Sequence, residues 1–243
     1  MLKERKIIKE KNQEYLYFGT FPQALKEESI TIINKDSNFD NLYLGSDGEK
    51  YILFKTSEHL KKSLFNNNKE IKPSKEYYYK VEPIKWKILE KNNDSVLCMS
   101  DLILSSNYFG KKCDEYCDSH IREYVINDMY NLAFNDDEKK YVIPYKYDYD
   151  LDDVTIPSYD DLNNSNYGYK KGETIDEARL KYMTDYARSR CSYADAKYGY
   201  YWLNDELYAR YYMSYVDQFG MINQGHVESD FGVVLKIKIK LSD

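Results

Sequence analysis

The chain has 243 residues, of which 42% are hydrophobic, and its formal net charge is -6 at pH 7. This length and apolar content are enough to bury a real core, and we expect one domain over residues 1–243. The acidic balance argues against a general electrostatic grip on nucleic acid or an anionic membrane, because neither Lys nor Arg forms a dominant block. The four cysteines are scattered, and we expect them to be reduced thiols.

The sequence has no stretch of about 18 apolar residues, so we expect no transmembrane helix. The N-terminal residues MLKERKIIKEKNQEYLYFG carry basic charges but have neither the apolar region nor the small-residue cleavage site of a signal peptide. These observations predict a cytoplasmic protein.

The first third of the chain predicts strands. Segment 14–21, EYLYFGTF, reads as a strand ended by glycine and proline. Two apolar runs flank Ser46, Asp47 and Gly48, which predict a hairpin turn because Gly and Asp tolerate positive φ. Segment 59–65 is expected to form a short helix.

Segment 77–89, YYYKVEPIKWKIL, predicts a strand whose inward-facing residues change parity. Tyrosines and valine alternate before Pro83, whereas isoleucine and tryptophan alternate on the other parity after it. Because Pro cannot donate to a ladder, we expect a bulge or bend at Glu82 and Pro83. Segment 95–100 is predicted to pair back as a hairpin.

A long helix is predicted from Asp118 to Phe134. Its apolar stripe consists of Ile121, Tyr124, Val125, Met129, Leu132 and Ala133, which recur at helical spacing. We expect Asp118 or Ser119 to cap its first turn. A second short helical run is predicted at 138–143, ended by Pro144.

The C-terminal part predicts a weak helix and a final strand. Segment 176–190 has a modest helical pattern, and GVVLKIKIKL at 232–241 alternates apolar residues with lysines, as a half-buried strand does. The order of strands, helices and a last strand predicts an α+β domain in which the first and last strands pair.

Two groups of residues have partial metal-site spacing. Cys113, Cys117 and His120 supply three potential zinc ligands, but a fourth is not evident, so packing or surface cysteines are the favoured interpretation. The aspartates between 148 and 153 begin like a calcium loop, but Asp153 stands where an EF-hand needs Gly and Tyr159 stands where it needs Glu. We therefore predict no metal and no cofactor.

The sequence contains no recognisable catalytic motif. It has three histidines, His59, His120 and His226, but no nucleophile elbow and no phosphate-binding glycine loop. An enzyme therefore has no support from the motifs.

Segment 198–219, YGYYWLNDELYARYYMSYVDQF, has the composition of a recognition surface. Tyr and Trp provide rigid contact area, and Asn, Asp, Ser and Arg provide hydrogen bonds. Trp202 and Leu203 are expected in the core, and the tyrosine spacing also fits helix or strand packing. The predicted ligand-binding residues are Tyr200, Tyr201, Asn204, Asp205, Tyr208 and Arg210.

Seven stretches, taken in order, resemble the bacterial family called domain of unknown function 6273 (DUF6273). They are YFGTFPQ, LYLGSDGEKYI, YYYKVEPIKWKILE, SHIREYVINDMYNLAFNDDEKKYV, DDVTIPSYDDL, MTDYARSRCSYADAKYGYYWLND and DFGVVLKI. The resemblance implies a C-type lectin-like α+β fold with mostly antiparallel short strands, one long helix and a C-terminal strand closing the sheet. Two arginines of the family pattern are replaced here, by Asn204 and Val234.

Three functions from different classes follow as hypotheses. The leading one is a non-catalytic recognition module that binds a protein, peptide or glycan through loops preceding the final strand. The second is a cysteine- or metal-dependent modifying enzyme on a frame like that of formylglycine-generating enzymes. The third is a structural subunit of a larger complex.

Overall fold

The structure is a computed structural model that describes residues 6–35, 41–58, 60, 63–111, 115–147, 150–172, 174–191, 197–205 and 211–241, with only the backbone described at 145–147 and 150. The strands in chain order are β1 (Ile8–Glu10), β2 (Gln13–Leu25), β3 (Ile32–Lys35), β4 (Leu42–Gly45), β5 (Lys50–Lys55), β6 (Ser63–Leu64), β7 (Glu70–Ile71), β8 (Glu76–Lys91), β9 (Ser95–Ser100), β10 (Ser105–Asn107), β11 (Tyr145–Tyr147), β12 (Asp150–Asp152), β13 (Val154–Thr155), β14 (Tyr201–Trp202), β15 (Tyr212–Val216), β16 (Ile222–His226), β17 (Phe231–Val233) and β18 (Lys236–Lys240).

Helices are short and few in the described residues. The α-helical segments are α1 (His120–Glu123), α2 (Tyr130–Ala133), α3 (Asp136–Lys139), α4 (Tyr159–Leu162) and α5 (Asp185–Arg188), with a π-helical segment at Tyr124–Met129 and 3-10 turns at Tyr116–Asp118, Ser165–Tyr167 and Glu177–Arg179. No helix within the described ranges is long and apolar enough to cross a membrane.

The described strands form two main sheets. The first has nine strands, seven of them in the order β13-β18-β9-β8-β5-β4-β3, while β2 pairs with both β8 and β1. The second has five strands in the order β10-β17-β14-β15-β16. Pairing between the named strands is antiparallel except for the parallel contact of β14 with β17, and an isolated parallel bridge joins Ile103 to Met183. The architecture is therefore a β-rich α+β fold.

One hydrophobic cluster contains side chains from both main sheets. It joins Leu16 and Trp86 of the first sheet to Trp202 and Phe231 of the second, and Ile121 of α1 packs into the same cluster. Because these side chains are all at most 6% exposed, the facing surfaces of the sheets and the helix are held by one apolar interior.

The strand predictions in the first sheet are largely confirmed. Strand β9 lies where it was predicted, and β4 and β5 form the predicted hairpin across Gly48, which has φ +81°. Strand β2 contains the predicted segment 14–21, but it continues past Gly19 and Pro22 to Leu25, so its predicted end is wrong. Strand β8 changes the parity of its buried residues between Tyr79 and Ile84. The register shift that accompanies this change lies on the facing part of β2, where Tyr17 pairs with Lys85 and Thr20 with Pro83.

One helix prediction and one strand prediction are wrong. In the described part of segment 59–65, Ser63 and Leu64 form a strand paired with β7, not a helix, while His59 lies outside the described residues. The C-terminal run is divided into β17 and β18, which belong to different sheets, and β18 pairs with β9 and β13 instead of with the first strand. Val234 and Leu235, both fully buried, link these two strands.

The long helix is confirmed from His120 to Ala133, two residues later than predicted at its start. Ser119 is the N-cap, and its hydroxyl accepts a hydrogen bond from the backbone N–H of Arg122 at 3.2 Å. Residues 120–133, here called the central helix, contain a π turn in which the N–H of Tyr130 donates to the carbonyl of Val125. A separate short helix, α3, begins with a capping box at Asn135.

The π turn changes which residues of the central helix are buried. A π turn inserts one extra residue per turn, so the residues that follow it are rotated by one position relative to a regular α-helix. Ala133 is 1% exposed, whereas Leu132, predicted on the buried face, is 41% exposed. That prediction is therefore wrong.

Gly19 lets the central helix end directly on β2. It has φ +67°, and a Cβ at this position would lie 2.5 Å from the Phe134 ring and 2.7 Å from the Ala133 carbonyl oxygen. Both the conformation and the close approach require glycine.

Candidate functional site

A cleft of about 700 Å³ opens between the start of the central helix and one end of the second sheet. It is lined by Tyr108, Gly110, Lys111, Asp118, His120, Glu123, Tyr211, His226 and Glu228. Four separate parts of the chain contribute these residues, namely 108–111, 118–123, 211 and 226–228. Two of the three histidines in the sequence line it, and the third, His59, lies outside the described residues.

Backbone hydrogen bonds hold the four parts together. The carbonyl of Val227 accepts from the N–H of Phe109 at 2.8 Å and of Gly110 at 3.1 Å. The N–H of Ile121 donates to the carbonyl of Phe109 at 3.0 Å, and the N–H of Val227 donates to the carbonyl of Tyr211 at 2.9 Å. The cleft is therefore positioned by the main chain, independently of the side chains that line it.

One wall of the cleft is formed by stacked rings of Tyr108 and His120. The ring centroids are 4.2 Å apart and the planes differ by 3°. His120 is the first residue of α1, and Ser119 before it is fully buried, with its hydroxyl donating to the carbonyl of Tyr116 at 2.6 Å. This buried cap fixes the direction in which the imidazole leaves the helix.

A second pair of tyrosine and histidine rings also lines the cleft. The rings of Tyr211 and His226 are nearly parallel, 6.2 Å apart with a 13° interplanar angle, and Tyr212 meets His226 edge-on. The backbone N–H of Glu228 donates to Nδ1 of His226 at 3.4 Å. While Nδ1 accepts this bond, Nε2 carries the hydrogen of the neutral imidazole and can donate it to a ligand.

The charges in the cleft are predominantly negative. Among the described residues that line it, Asp118, Glu123 and Glu228 contribute three carboxylates and Lys111 contributes one ammonium, and all four residues are exposed. Because the walls are ring faces, a cation in the cleft would meet both aromatic and carboxylate partners.

An aromatic cluster lies beneath the cleft. Phe109 is fully buried and meets Trp202 edge-on at 5.4 Å, while Phe231 lies 4.6 Å from Trp202 and 4.5 Å from Tyr215. The indole N–H of Trp202 donates to the carbonyl of Asn107 at 3.0 Å. Trp202 is therefore a core residue, as predicted.

The predicted ligand-binding residues occupy different environments. Tyr200 is half-buried and stacks on Phe231 at 5.5 Å. Tyr201 is fully buried, and its hydroxyl donates to the carbonyl of Arg179 at 2.7 Å. Tyr208 and Arg210 lie outside the described residues.

Asn204 and Asp205 make internal hydrogen bonds. The Asn204 amide donates to Thr155 Oγ1 at 3.2 Å and to the carbonyl of Ile156 at 3.1 Å. The Asp205 carboxylate accepts from the backbone N–H of Tyr159. Burial, together with the nearby carboxylates of Asp160 and Asp161, raises the pKa of Asp205 to about 6. Tyr201 and Asn204, the buried members of the predicted ligand-binding set, thus use their hydrogen bonds within the protein. None of the described members of the set lines the cleft.

The described residues with partial metal-site spacing lie in different environments. Cys113 lies outside the described residues, the Cys117 thiol donates to a Glu115 carboxylate oxygen at 3.1 Å, and His120 belongs to the cleft. Asp152 forms a bidentate pair with Arg122, at 2.8 Å from Nε and 2.7 Å from Nη2. Within the described ranges, no three His, Cys, Asp or Glu side chains form a group that could hold a metal ion.

Sequence reasoning missed most of the cleft. Tyr211 belongs to the stretch predicted as a recognition surface, and both cleft histidines were noticed individually, but nothing in the sequence connects Tyr108 or Glu123 with His226. The only local signal was the scarcity of histidine in a chain that has three.

Comparison of the chain with known protein families, with curated proteins and with solved structures gives no match. Of the two positions where the family pattern expects arginine, Asn204 holds the buried bonds described above and Val234 is fully buried in an apolar cluster.

Proposed function

We propose that this protein is a non-catalytic recognition module whose ligand, a protein segment, a peptide or a glycan, binds in the cleft between Tyr108, His120, Tyr211 and His226. The observation that carries the proposal is that two pairs of nearly parallel tyrosine and histidine rings line one cleft. Rings supply large contact area at a small cost in conformational entropy, and their polar atoms give direction to hydrogen bonds.

The fixed backbone beneath the cleft supports a binding function. Because the Phe109, Val227 and Ile121 backbones are already hydrogen bonded to one another, little ordering of the main chain accompanies ligand binding. A preformed, mixed polar and aromatic concavity is the usual form of a specific ligand site.

Membership of the domain of unknown function 6273 family and a C-type lectin-like fold form part of the proposal. In that interpretation, the ligand contacts loops that precede the final strands, and Glu228 stands in the turn between β16 and β17. The β-rich α+β architecture with mostly antiparallel pairing supports it.

The test is a binding screen of the full chain on a glycan array and on a random-sequence peptide display library. Binders recovered with the natural sequence are then measured on Tyr211→Ala and His226→Ala. We expect each substitution to weaken the affinity of these binders by about tenfold or more, since central aromatic contacts dominate recognition energies.

Tyr17→Ala is the matched control, because Tyr17 is 48% exposed, similar to Tyr211 at 42%, but lies on β2 outside the cleft. It should leave binding unchanged. Binders that tolerate both cleft substitutions, or a screen that recovers no binder, would overturn the assignment of the cleft as the recognition site.

A further inference from the structure

We infer that the ligand is an extended peptide segment with a basic side chain, which adds as a strand to the outer edge of β16 and places that side chain in the cleft. This inference rests on the proposed function and specifies its ligand class. It combines three observations, namely the hydrogen-bonding direction of β16, the composition of its edge and the charge of the cleft.

The outer edge of β16 presents backbone groups without a described partner. Val227 donates to Tyr211 and Asp217 donates to the carbonyl of Met221, which fixes the odd-numbered residues of β16 as those bonded to β15. The N–H and C=O groups of Ile222 and Gln224 therefore point away from β15. Within the described ranges they have no hydrogen-bond partner, and β16 is the last strand of its sheet.

The composition of β16 differs from that of β1 and β3, two edge strands of the first sheet. Strand β1 carries Lys9 and Glu10, and β3 ends in Lys35 and has a register shift against β4. Charges and bulges of this kind protect edges from unwanted pairing. Strand β16, INQGH, contains no Lys, Arg, Asp, Glu or Pro, and its five-residue ladder with β15 has no register shift.

Side-chain alternation directs the added strand into the cleft. In an antiparallel pair, residues directly opposite each other project to the same face of the sheet. His226 lines the cleft, so the peptide residue opposite His226 projects its side chain into the cleft as well. The Gln224 backbone then supplies the neighbouring pair of main-chain hydrogen bonds.

The charge of the cleft selects a basic side chain. An ammonium or guanidinium opposite His226 meets the carboxylates of Glu228, Glu123 and Asp118, and the ring faces of Tyr108 and Tyr211 favour a cation further. A second copy of this chain is disfavoured on the same edge, because pairing two copies would bring two acidic clefts together in a molecule with net charge -6.

The first experiment varies the peptide. Synthetic peptides of about eight residues with strand-forming sequence, identical except for a central Lys, Arg, Gln or Glu, are titrated against the full chain. We expect the Lys and Arg peptides to bind at least about tenfold more tightly than the Gln and Glu peptides. N-methylation of every second residue should abolish binding when the methylated N–H groups face β16. It should leave binding intact when they face away, because only one edge of the peptide pairs with β16.

The second experiment varies the protein. Gln224→Pro removes an N–H that points away from β15, so it should block the added strand while β15 and β16 stay paired, and Gln224→Ala should bind normally. Glu123→Gln combined with Glu228→Gln should weaken binding of the Lys peptide by about tenfold. Glu76→Gln, at an exposed position of β8, should leave that binding unchanged.

The outcomes separate this inference from the proposed function. Peptide binding that is indifferent to charge and to N-methylation, no peptide binding at all, or edge-to-edge dimers of the chain overturn the inference. If a glycan instead binds in the cleft and is lost in Tyr211→Ala, the inference fails and the proposed function stands. If Gln224→Pro does not fold, the N-methylated peptides still decide the question on the natural chain.

Discussion

The ammonium of Lys181 is nearly enclosed, with 5% of the residue exposed and Nζ donating to the Ser100 carbonyl at 2.7 Å. Burial lowers its pKa to about 7, from an ordinary value of 10.5. Between these values the unfolded chain holds the proton and the folded chain does not. This group therefore increases stability as pH rises from 7 towards 10.5, and that contribution is lost as pH falls through 7.

We predict that Lys181→Met removes this pH dependence. At pH 6 the variant should be more stable than the natural chain by on the order of a few kcal/mol, because it has no buried ammonium, and the difference should shrink by pH 9.5. Urea unfolding at both pH values measures it. Lys50→Met, at an exposed lysine, is the control. A pH-independent difference would contradict the burial argument.

Asp205 has the opposite linkage, because burial raises the pKa of its carboxyl to about 6 from 3.8. Between these values the folded chain holds a proton that the unfolded chain has released. This contribution to stability is fully present below about pH 3.8 and is lost as pH rises through 6.

We predict that Asp205→Asn stabilises the protein at pH 7 by roughly 1 to 2 kcal/mol, after allowing for partial solvent exposure. The amide oxygen can still accept the N–H of Tyr159. Thermal unfolding between pH 4.5 and 7.5 should show a smaller loss of stability with rising pH than the natural chain shows. Asp94→Asn, at an exposed position, should reproduce the natural profile.

At the scale of one element, the π turn of the central helix decides which side chains matter. Leu132 and Met129 are both large apolar residues on the predicted stripe, but Leu132 is 41% exposed and Met129 is 1% exposed. Only the removal of Met129 leaves a cavity.

We therefore predict that Met129→Ala costs about 2 to 5 kcal/mol, whereas Leu132→Ala costs less than about 1 kcal/mol. Urea unfolding of both variants gives the comparison. Equal costs would mean that the helix is a regular α-helix with Leu132 buried.

At the scale of the whole molecule, Arg179 connects segments that are far apart in sequence. Its guanidinium is fully buried and donates to the carbonyls of Leu162, Lys170, Gly172, Thr174 and Gly220 at 2.5 to 3.2 Å. No other residue type offers five donors in a fixed plane.

Arg179→Lys should lower stability by on the order of 3 kcal/mol and accelerate hydrogen exchange at the amides of Lys170 and Gly172. Arg122→Lys, which disrupts the pair with Asp152, should lower the unfolding midpoint without that local acceleration. Unchanged exchange in Arg179→Lys would show that other contacts hold these loops.

The sequence patterns predicted those features of the fold that depend on residues close together in the chain. The alternation in β18, the hairpin at Gly48 and the Ser119 cap were readable because each depends on neighbouring residues. The π turn was not readable, since its residues carry no distinct signal. Tyr201 and Asn204 were misplaced on a surface because a buried tyrosine or asparagine with internal partners has the same composition as an exposed one.

The sequence patterns did not predict which distant segments pair with each other, and the cleft depends on that pairing. The bonds from Phe109 and Gly110 to Val227 use only backbone atoms, so any residues at those positions would look the same in the sequence. The β-rich α+β architecture was predictable, but the distribution of the C-terminal strands between two sheets was not.

The pairing of β10 with β17 has a consequence for synthesis. Ser105–Asn107 leaves the ribosome long before Phe231–Val233, its partner, and β9 likewise emerges long before β18. Until β17 and β18 have been released, a nascent chain therefore holds both of these earlier strands without the partner that completes their sheet. Stop codons or ribosome stalling before the codons of β17 should yield chains with open edges and an exposed aromatic interior, the form that chaperones bind and proteases remove.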